Sequence, residues 1–269
     1  MCLILIAYRA HPDYPLVIAA NRDEAYARPA LPADFWKEHP AVYGGRDLEA
    51  GGTWLGITTT GRFAALTNYR QGTTRDPALR SRGELVSRFL CSDMRALDYV
   101  QAMQPHGDEY NGYSMLAGDL DALYFLSNRG NGVSSVAPGV HGLSNHLLDE
   151  PWPKVVKGTQ ALESWIGLPD IDLATRLFAL LADRTTAPDA MLPATGIELQ
   201  RERELSAAFI AAERYGTRAC SVAIVRATGD VLFGERAFGP QGRLLYAKEE
   251  RFRLSASRGA ALPPRHAAG

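Results

Sequence analysis

Apolar positions open the chain in two runs, Cys2-Leu3-Ile4-Leu5-Ile6-Ala7 and Pro15-Leu16-Val17-Ile18-Ala19-Ala20, joined through His11-Pro12-Asp13-Tyr14. Runs of this length around a Pro-containing joint predict a β-hairpin. Neither run alternates polar with apolar, so the sheet they enter is expected to be covered on both faces. Residues 28–42 are Pro-rich and read as irregular. After Gly51-Gly52, the segments Thr53 to Ile57 and Phe63 to Tyr69 predict a second hairpin around Gly61. The period then changes. Leu85, Val86, Phe89 and Leu90 recur at helical spacing within 80–90, and 94–103 reads as another helix.

Strands are expected again at 114–118, 122–127 and 140–144. Residues 153–166 and 173–181 read as helices, the second with Leu173, Leu177, Leu180 and Leu181 on one stripe. A further helix is expected over 198–214. Strands 219–226 and 231–238 pair across Thr228-Gly229-Asp230. Strands, then helices, then strands, with no internal repeat or linker, predict one α+β domain over residues 1–254 with segregated layers. Residues 255–269 are Ala, Pro, Arg and His in the main, and are expected to fray.

Composition narrows the function classes. The 269-residue chain is 46% apolar and carries 29 basic against 30 acidic residues, for a net charge of −1. With no long basic run, electrostatics gives no basis for nucleic-acid binding. No stretch approaches the ~20 apolar residues of a membrane helix, and Leu3 to Ala7 is too short for a signal-peptide core. Three cysteines without a CxxC spacing argue against a disulfide framework or a zinc site and for a reducing, cytoplasmic setting. The six histidines form no HxxxH or HExxH pattern, so no metal site is expected.

The candidate chemistry begins at Met1-Cys2. An initiator Met is removed when a small residue follows it, and Cys2 would then carry a thiol and a free α-amine on one residue. The amine titrates near ~8 and the thiol near ~8.5, so nucleophile and base would share one residue. If Met1 stays, the nitrogen is acylated and that self-base is lost. Asn21 and Asp23 are two apart, so a strand points both to one face with Arg22 opposite.

Cys2, Ala20-Asn21-Arg22-Asp23-Glu24, Gly51-Gly52-Thr53-Trp54-Leu55-Gly56 and Leu66-Thr67-Asn68-Tyr69 occur in order along the chain. Arg82-Gly83-Glu84-Leu85, Gly142-Leu143-Ser144-Asn145 and Tyr215-Gly216-Thr217-Arg218 follow them. Together they resemble the NRDE family, also called the transport and Golgi organisation 2 family. That family is similar to cysteine N-terminal nucleophile hydrolases such as bile-salt hydrolases and penicillin V acylases. The resemblance implies an αββα four-layer sandwich, with two antiparallel sheets packed face to face and helices outside. It assigns Cys2 as nucleophile, Asp23 as its carboxylate partner, Asn68 and Asn145 as oxyanion donors and Arg218 as the late cation. It departs at Ala20, where the amidases carry an Arg three residues before the catalytic Asp.

The assigned set suits acyl transfer, which needs a nucleophile, a base and donors aimed at the developing oxyanion. Each member also fits a plainer role: Asp23 an Asx turn, the asparagines loop backbone, Arg218 a structural ion pair. Asn21, Arg22, Tyr69, His146 and Trp152 are expected to bind ligand around the same pocket. Two functions stay open. The family association implies intracellular haem binding or trafficking, or acyl-CoA metabolism, with a small amphipathic ligand and no required cofactor. The residue chemistry implies hydrolysis of a small amide, thioester or acyl conjugate.

Overall fold

The computed structural model describes residues 2–72, 75–168 and 172–255. Thirteen strands and five α-helices are named among them. The strands are β1 Cys2–His11, β2 Tyr14–Ala25, β3 Ala30–Phe35, β4 Val42–Asp47, β5 Leu55–Thr58, β6 Phe63–Asn68, β7 Tyr113–Gly118, β8 Leu123–Ser127, β9 Gly132–Ser135, β10 Gly139–Leu143, β11 Tyr215–Val225, β12 Asp230–Phe238 and β13 Leu244–Arg253. The helices are α1 Gly83–Leu90, α2 Ala96–Met103, α3 Pro153–Trp165, α4 Leu173–Leu181 and α5 Leu199–Ser206. The sheets run β10-β1-β2-β11-β12-β13 and β3-β4-β5-β6-β7-β8-β9. Every named strand pairing is antiparallel.

Strand parity sorts the apolar residues into layers. Ile4, Ile6, Leu16 and Ile18 point from β1 and β2 into the core between the sheets, against Tyr43, Ile57, Phe63 and Leu116 of the second sheet. Leu3, Leu5, Val17 and Ala19 point the other way, onto Val155 and Leu162 of α3 and Leu177 and Leu181 of α4. A third cluster joins the far face of the second sheet to Leu85, Val86 and Phe89 of α1 and Tyr99 of α2. Helix, sheet, sheet, helix is the αββα order expected. It explains why the opening runs are apolar at every position: β1 and β2 are central strands, buried on both faces. Gly158 lets α3 sit close, since a Cβ there would come 2.6 Å from both Leu5 methyls.

The differences from the sequence reading have physical causes. The Pro-rich stretch expected to be irregular contains β3, with Pro32 inside it. β3 is an edge strand, where a residue without N–H is tolerated. The helix expected over 198–214 stops at Ser206. The buried run Ala207-Ala208-Phe209-Ile210 then leaves the helix, and the Phe209 amide donates to the Asp183 carbonyl. Burial of those four residues overrides local helix propensity. β4, β9 and β13 have no counterpart in the sequence reading. The expected frayed tail falls, after Ser255, outside the described residues.

Candidate functional site

Cys2 begins β1 directly opposite Arg22 of β2, so both side chains share the face between the sheets. There, at one end of the sandwich, a cavity of about 210 Å³ opens between the two sheets. Cys2, Arg22, Asp23, Asn68 and Arg218 line it, with Trp54, Leu66, Arg82 and Glu235. Cys2 is buried at its edge, 6% exposed. Burial pushes its thiol up, and a hydrogen bond from the Asp23 backbone and the nearby Arg22 charge oppose that push.

The backbone nitrogen of Cys2 leads to the asparagines. It donates to Oδ1 of Asn145 at 3.2 Å, and Nδ2 of Asn145 donates to the Asn68 carbonyl at 2.8 Å. Ser144 Oγ donates to the Cys2 carbonyl at 3.0 Å, and Thr67 Oγ1 donates to the Ser144 carbonyl at 2.6 Å. The loop after β10 and the end of β6 are thereby laced to the first residue of β1. Asn145 is fully buried behind Cys2 and does not line the cavity. The Asn68 carboxamide does line it, and makes no hydrogen bond to a described residue.

Asp23 lies on the other parity. Its Oδ1 accepts from Thr217 Oγ1 at 2.7 Å, and its carbonyl accepts from Tyr215 OH at 3.0 Å. Burial pushes the carboxyl up, while Lys154, the Thr217 hydroxyl and Arg70 favour its ionised form. Lys154 is buried on α3, donating to the carbonyls of Leu205 (3.0 Å) and Ala207 (3.4 Å). Burial lowers its amine to about 8 despite the Asp23 carboxylate. Arg70 pairs with Glu202 in the same buried region.

The register of β2 with β11 shifts between Thr217 and Ala219, leaving Arg218 as the extra residue of a bulge. A bulge re-aims its side chain. The Arg218 guanidinium donates to the carbonyls of Ala25 (2.9 Å) and Arg28 (2.8 Å) and lines the cavity. Arg22, held by Asp47 at 3.1 Å, is a side-chain cation that favours the thiolate of Cys2.

Asn145, expected as an oxyanion donor, gives its amide to the Asn68 carbonyl behind the cavity, and four residues expected to bind ligand there also lie elsewhere. Asn21 faces the helices, its amide donating to the carbonyls of Leu181 (2.8 Å) and Ala208 (2.7 Å). Tyr69, His146 and Trp152 form their own cluster. Tyr69 OH is 2.6 Å from Nε2 of His146, whose Nδ1 is 3.0 Å from Glu150. The Trp152 ring lies tilted at 5.9 Å from His146 and takes the Arg70 guanidinium at 4.6 Å. No group of three or more His, Cys, Asp or Glu suited to a metal exists among the described residues.

The family model described as Transport and Golgi organisation 2 matches residues 1–240. The chain belongs to that family. A Bos taurus Transport and Golgi organization protein 2 homolog is 42% identical over 257 residues, covering 88% of this chain and 93% of its own. The Homo sapiens homolog is 38% identical over 257 residues with the same coverage. The Drosophila melanogaster protein is 28% identical over 262 residues, covering 87% of this chain and 91% of its own. Among solved structures, a Caenorhabditis elegans N-acylethanolamine-hydrolyzing acid amidase ortholog aligns at TM-score 0.45 and 11% identity, covering 67% of this chain and 86% of its own. A conjugated bile acid hydrolase from Clostridium perfringens aligns at 0.43 and 10%, covering 94% and 92%.

In this Transport and Golgi organisation 2 chain, sequence reasoning missed Arg82, Lys154 and Glu235. Arg82 sits in a quoted motif but immediately before a helix, where a charged residue attracts no notice. Lys154 carried a readable signal. It is one of four lysines, and it shares the buried face of α3 with Gly158 and Leu162. Glu235 lies on β12 and accepts from the Ala33 amide (2.9 Å) and Tyr246 OH (2.7 Å), while burial pushes its carboxyl up. No helix among the described residues is long and apolar enough to cross a membrane.

Proposed function

We propose that this protein is a cysteine N-terminal nucleophile that transfers or hydrolyses the acyl group of a small amide, thioester or acyl conjugate. One observation carries the reading: the Cys2 nitrogen rests on Asn145 Oδ1 at the edge of a cavity that its side chain shares with Asn68. With Met1 removed, that nitrogen is an amine. It takes the proton of the thiol, and the thiolate attacks the acyl carbon. The C–S bond forms as the bond to the leaving amine or thiol breaks, and the leaving group takes the proton. Water then cleaves the thioester, releasing the acid and restoring the thiol. Asn68 donates to the oxyanion in both halves. Thr217 and Lys154 favour the ionised form of Asp23 against the burial that opposes it, and in that form it complements the ammonium state.

The test is release of amine or thiol from a panel of short acyl amides and thioesters. Turnover that disappears in Cys2→Ala and in Cys2→Ser is expected. Turnover that survives in Cys2→Ala, or none across the panel, contradicts the reading.

Haem handling is the second reading, supported by the arginines at the cavity, which suit carboxylates, and by the thiolate as an axial ligand. Haemin titration is expected to displace the Soret band in the native protein and not in Cys2→Ala. An unchanged spectrum removes this reading.

A further inference from the structure

Seven arginines line the cavity around Cys2. Most are already matched. Arg22 and Arg28 converge on Asp47, Arg46 reaches Glu38 at 3.5 Å, and Arg80 lies 2.5 Å from both Glu84 and Glu109. Arg75 is exposed and makes no ion pair with a described residue, whereas Arg82 and Arg218 are half-buried and stand apart from the rest. Neither has a carboxylate oxygen within 4.0 Å among the described residues. Arg82 spends Nη1 on the Gly112 carbonyl at 3.0 Å, and Arg218 spends Nη1 on the carbonyls of Ala25 and Arg28. Backbone carbonyls orient a guanidinium without neutralising it.

The two come from opposite halves of the sandwich. Arg82 precedes α1, which packs on the second sheet, and Arg218 is the bulged residue of β11 in the first. A cation taken from water costs free energy unless an anion meets it. Burial and neighbouring Arg22 disfavour the charge on Arg218, as burial and Arg75 do on Arg82, and Glu24 of the same cavity offsets part of this on both without pairing with either. Guanidinium groups match the paired oxygens of carboxylate and phosphate.

The geometry points to Arg82 and Arg218 as a subsite for an anionic oxygen group, carboxylate or phosphate, on the molecule whose acyl carbon meets Cys2. The placement of the acyl carbon rests on the acyl-transfer reading above; the anion subsite itself does not need turnover. The Cys2 thiolate lies near enough to favour the charged form of Arg82, so anion and nucleophile occupy one cavity.

Calorimetry with inorganic phosphate and with succinate, on the full chain, tests this directly. One or both anions are expected to bind at one site, at least tenfold weaker in Arg82→Gln and in Arg218→Gln, with Arg95→Gln, a paired surface cation, unchanged. Binding of phosphate alone assigns a phosphate-bearing ligand; binding of succinate alone assigns a carboxylate. A wild-type experiment covers variants that do not fold. Peptide-resolved alkylation should give Cys2 a ratio of iodoacetate to iodoacetamide rates at least fivefold above that of N-acetylcysteine, with the binding anion suppressing the excess. Absence of binding by both anions, or equal weakening in Arg95→Gln, overturns the proposal. Failure of Cys2 turnover with anion binding intact removes the acyl reading and leaves the subsite standing.

Discussion

Arg22 stands directly across the β1–β2 ladder from Cys2, on the same face. Ala20, on the same strand, is fully buried in the core between the sheets. Arg22 is two residues on and therefore of the same parity, so a cation reaches the face that carries the sulfur. It is fixed there by Asp47, which also holds Arg28 at 2.6 Å.

Arg22→Gln should therefore raise the Cys2 pKa, because the neighbouring charge favours thiolate. At fixed neutral pH, iodoacetamide should label Cys2 several-fold more slowly, and the rate profile should move to higher pH. Asp47 retains Arg28, so the fold is expected to persist.

The two asparagines should separate in their effects. Asn68→Ala removes an uncommitted donor at the cavity and is expected to lower kcat about 10²- to 10³-fold with little change in stability. Asn145→Ala strips the partner from the Cys2 nitrogen and the link to the Asn68 carbonyl. It should cost about 1–3 kcal/mol of stability as well as activity, since buried polar groups lose their partners. Denaturant melts beside steady-state kinetics distinguish the two.

Lys154 gives a pH dependence. Its amine falls from 10.5 to about 8 on burial, next to Asp23, Arg70, Cys2 and Glu202. Between those values the unfolded chain holds a proton that the folded chain has released, so this residue adds stability as pH rises from about 8 toward 10.5. The full effect is roughly 3 kcal/mol for a shift of that size. The stability difference between the native protein and Lys154→Met, measured from pH 7 to 10, should grow in favour of the native protein with rising pH. A difference independent of pH would place the amine at its ordinary value.

Gly52 backs onto the start of α1. A Cβ there would overlap the Gly83 carbonyl carbon and lie 2.6 Å from its oxygen. Thr53 beside it donates to that same carbonyl at 3.2 Å. Gly52→Ala must push α1 away and displace Arg82, so a loss of more than about 2 kcal/mol is expected, with weakened anion binding. Calorimetric melting and phosphate titration of the one variant check both.

The central hairpin was legible because β1 and β2 are apolar on both faces, a pattern that a fully covered strand alone requires. The helix at 173–181 was legible residue for residue, its leucines marking one stripe. β13 was not, because it is an edge strand that alternates exposed and half-buried residues and carries Lys248, Glu249, Glu250, Arg251 and Arg253. Charges that protect an edge also hide it from a hydrophobicity reading. Around Cys2, the sequence named residues whose neighbourhood depends on pairing register. Asn21 follows the parity of Asp23 into the helical layer, and Tyr69 and His146 turn toward each other. Adjacency to a site residue in the chain placed neither in the cavity. Arg218 reaches it through a bulge, which strand alternation does not foresee.

Whether the first cysteine is a working nucleophile is decided most directly by intact and peptide-resolved mass spectrometry of the purified protein after exposure to an acyl thioester. The expected result is a chain lacking Met1 that gains one acyl group at Cys2, removable by hydroxylamine, with Cys91 and Cys220 unmodified. A chain that keeps Met1, or one whose acyl group sits on Cys91 while Cys2 stays free, would contradict it.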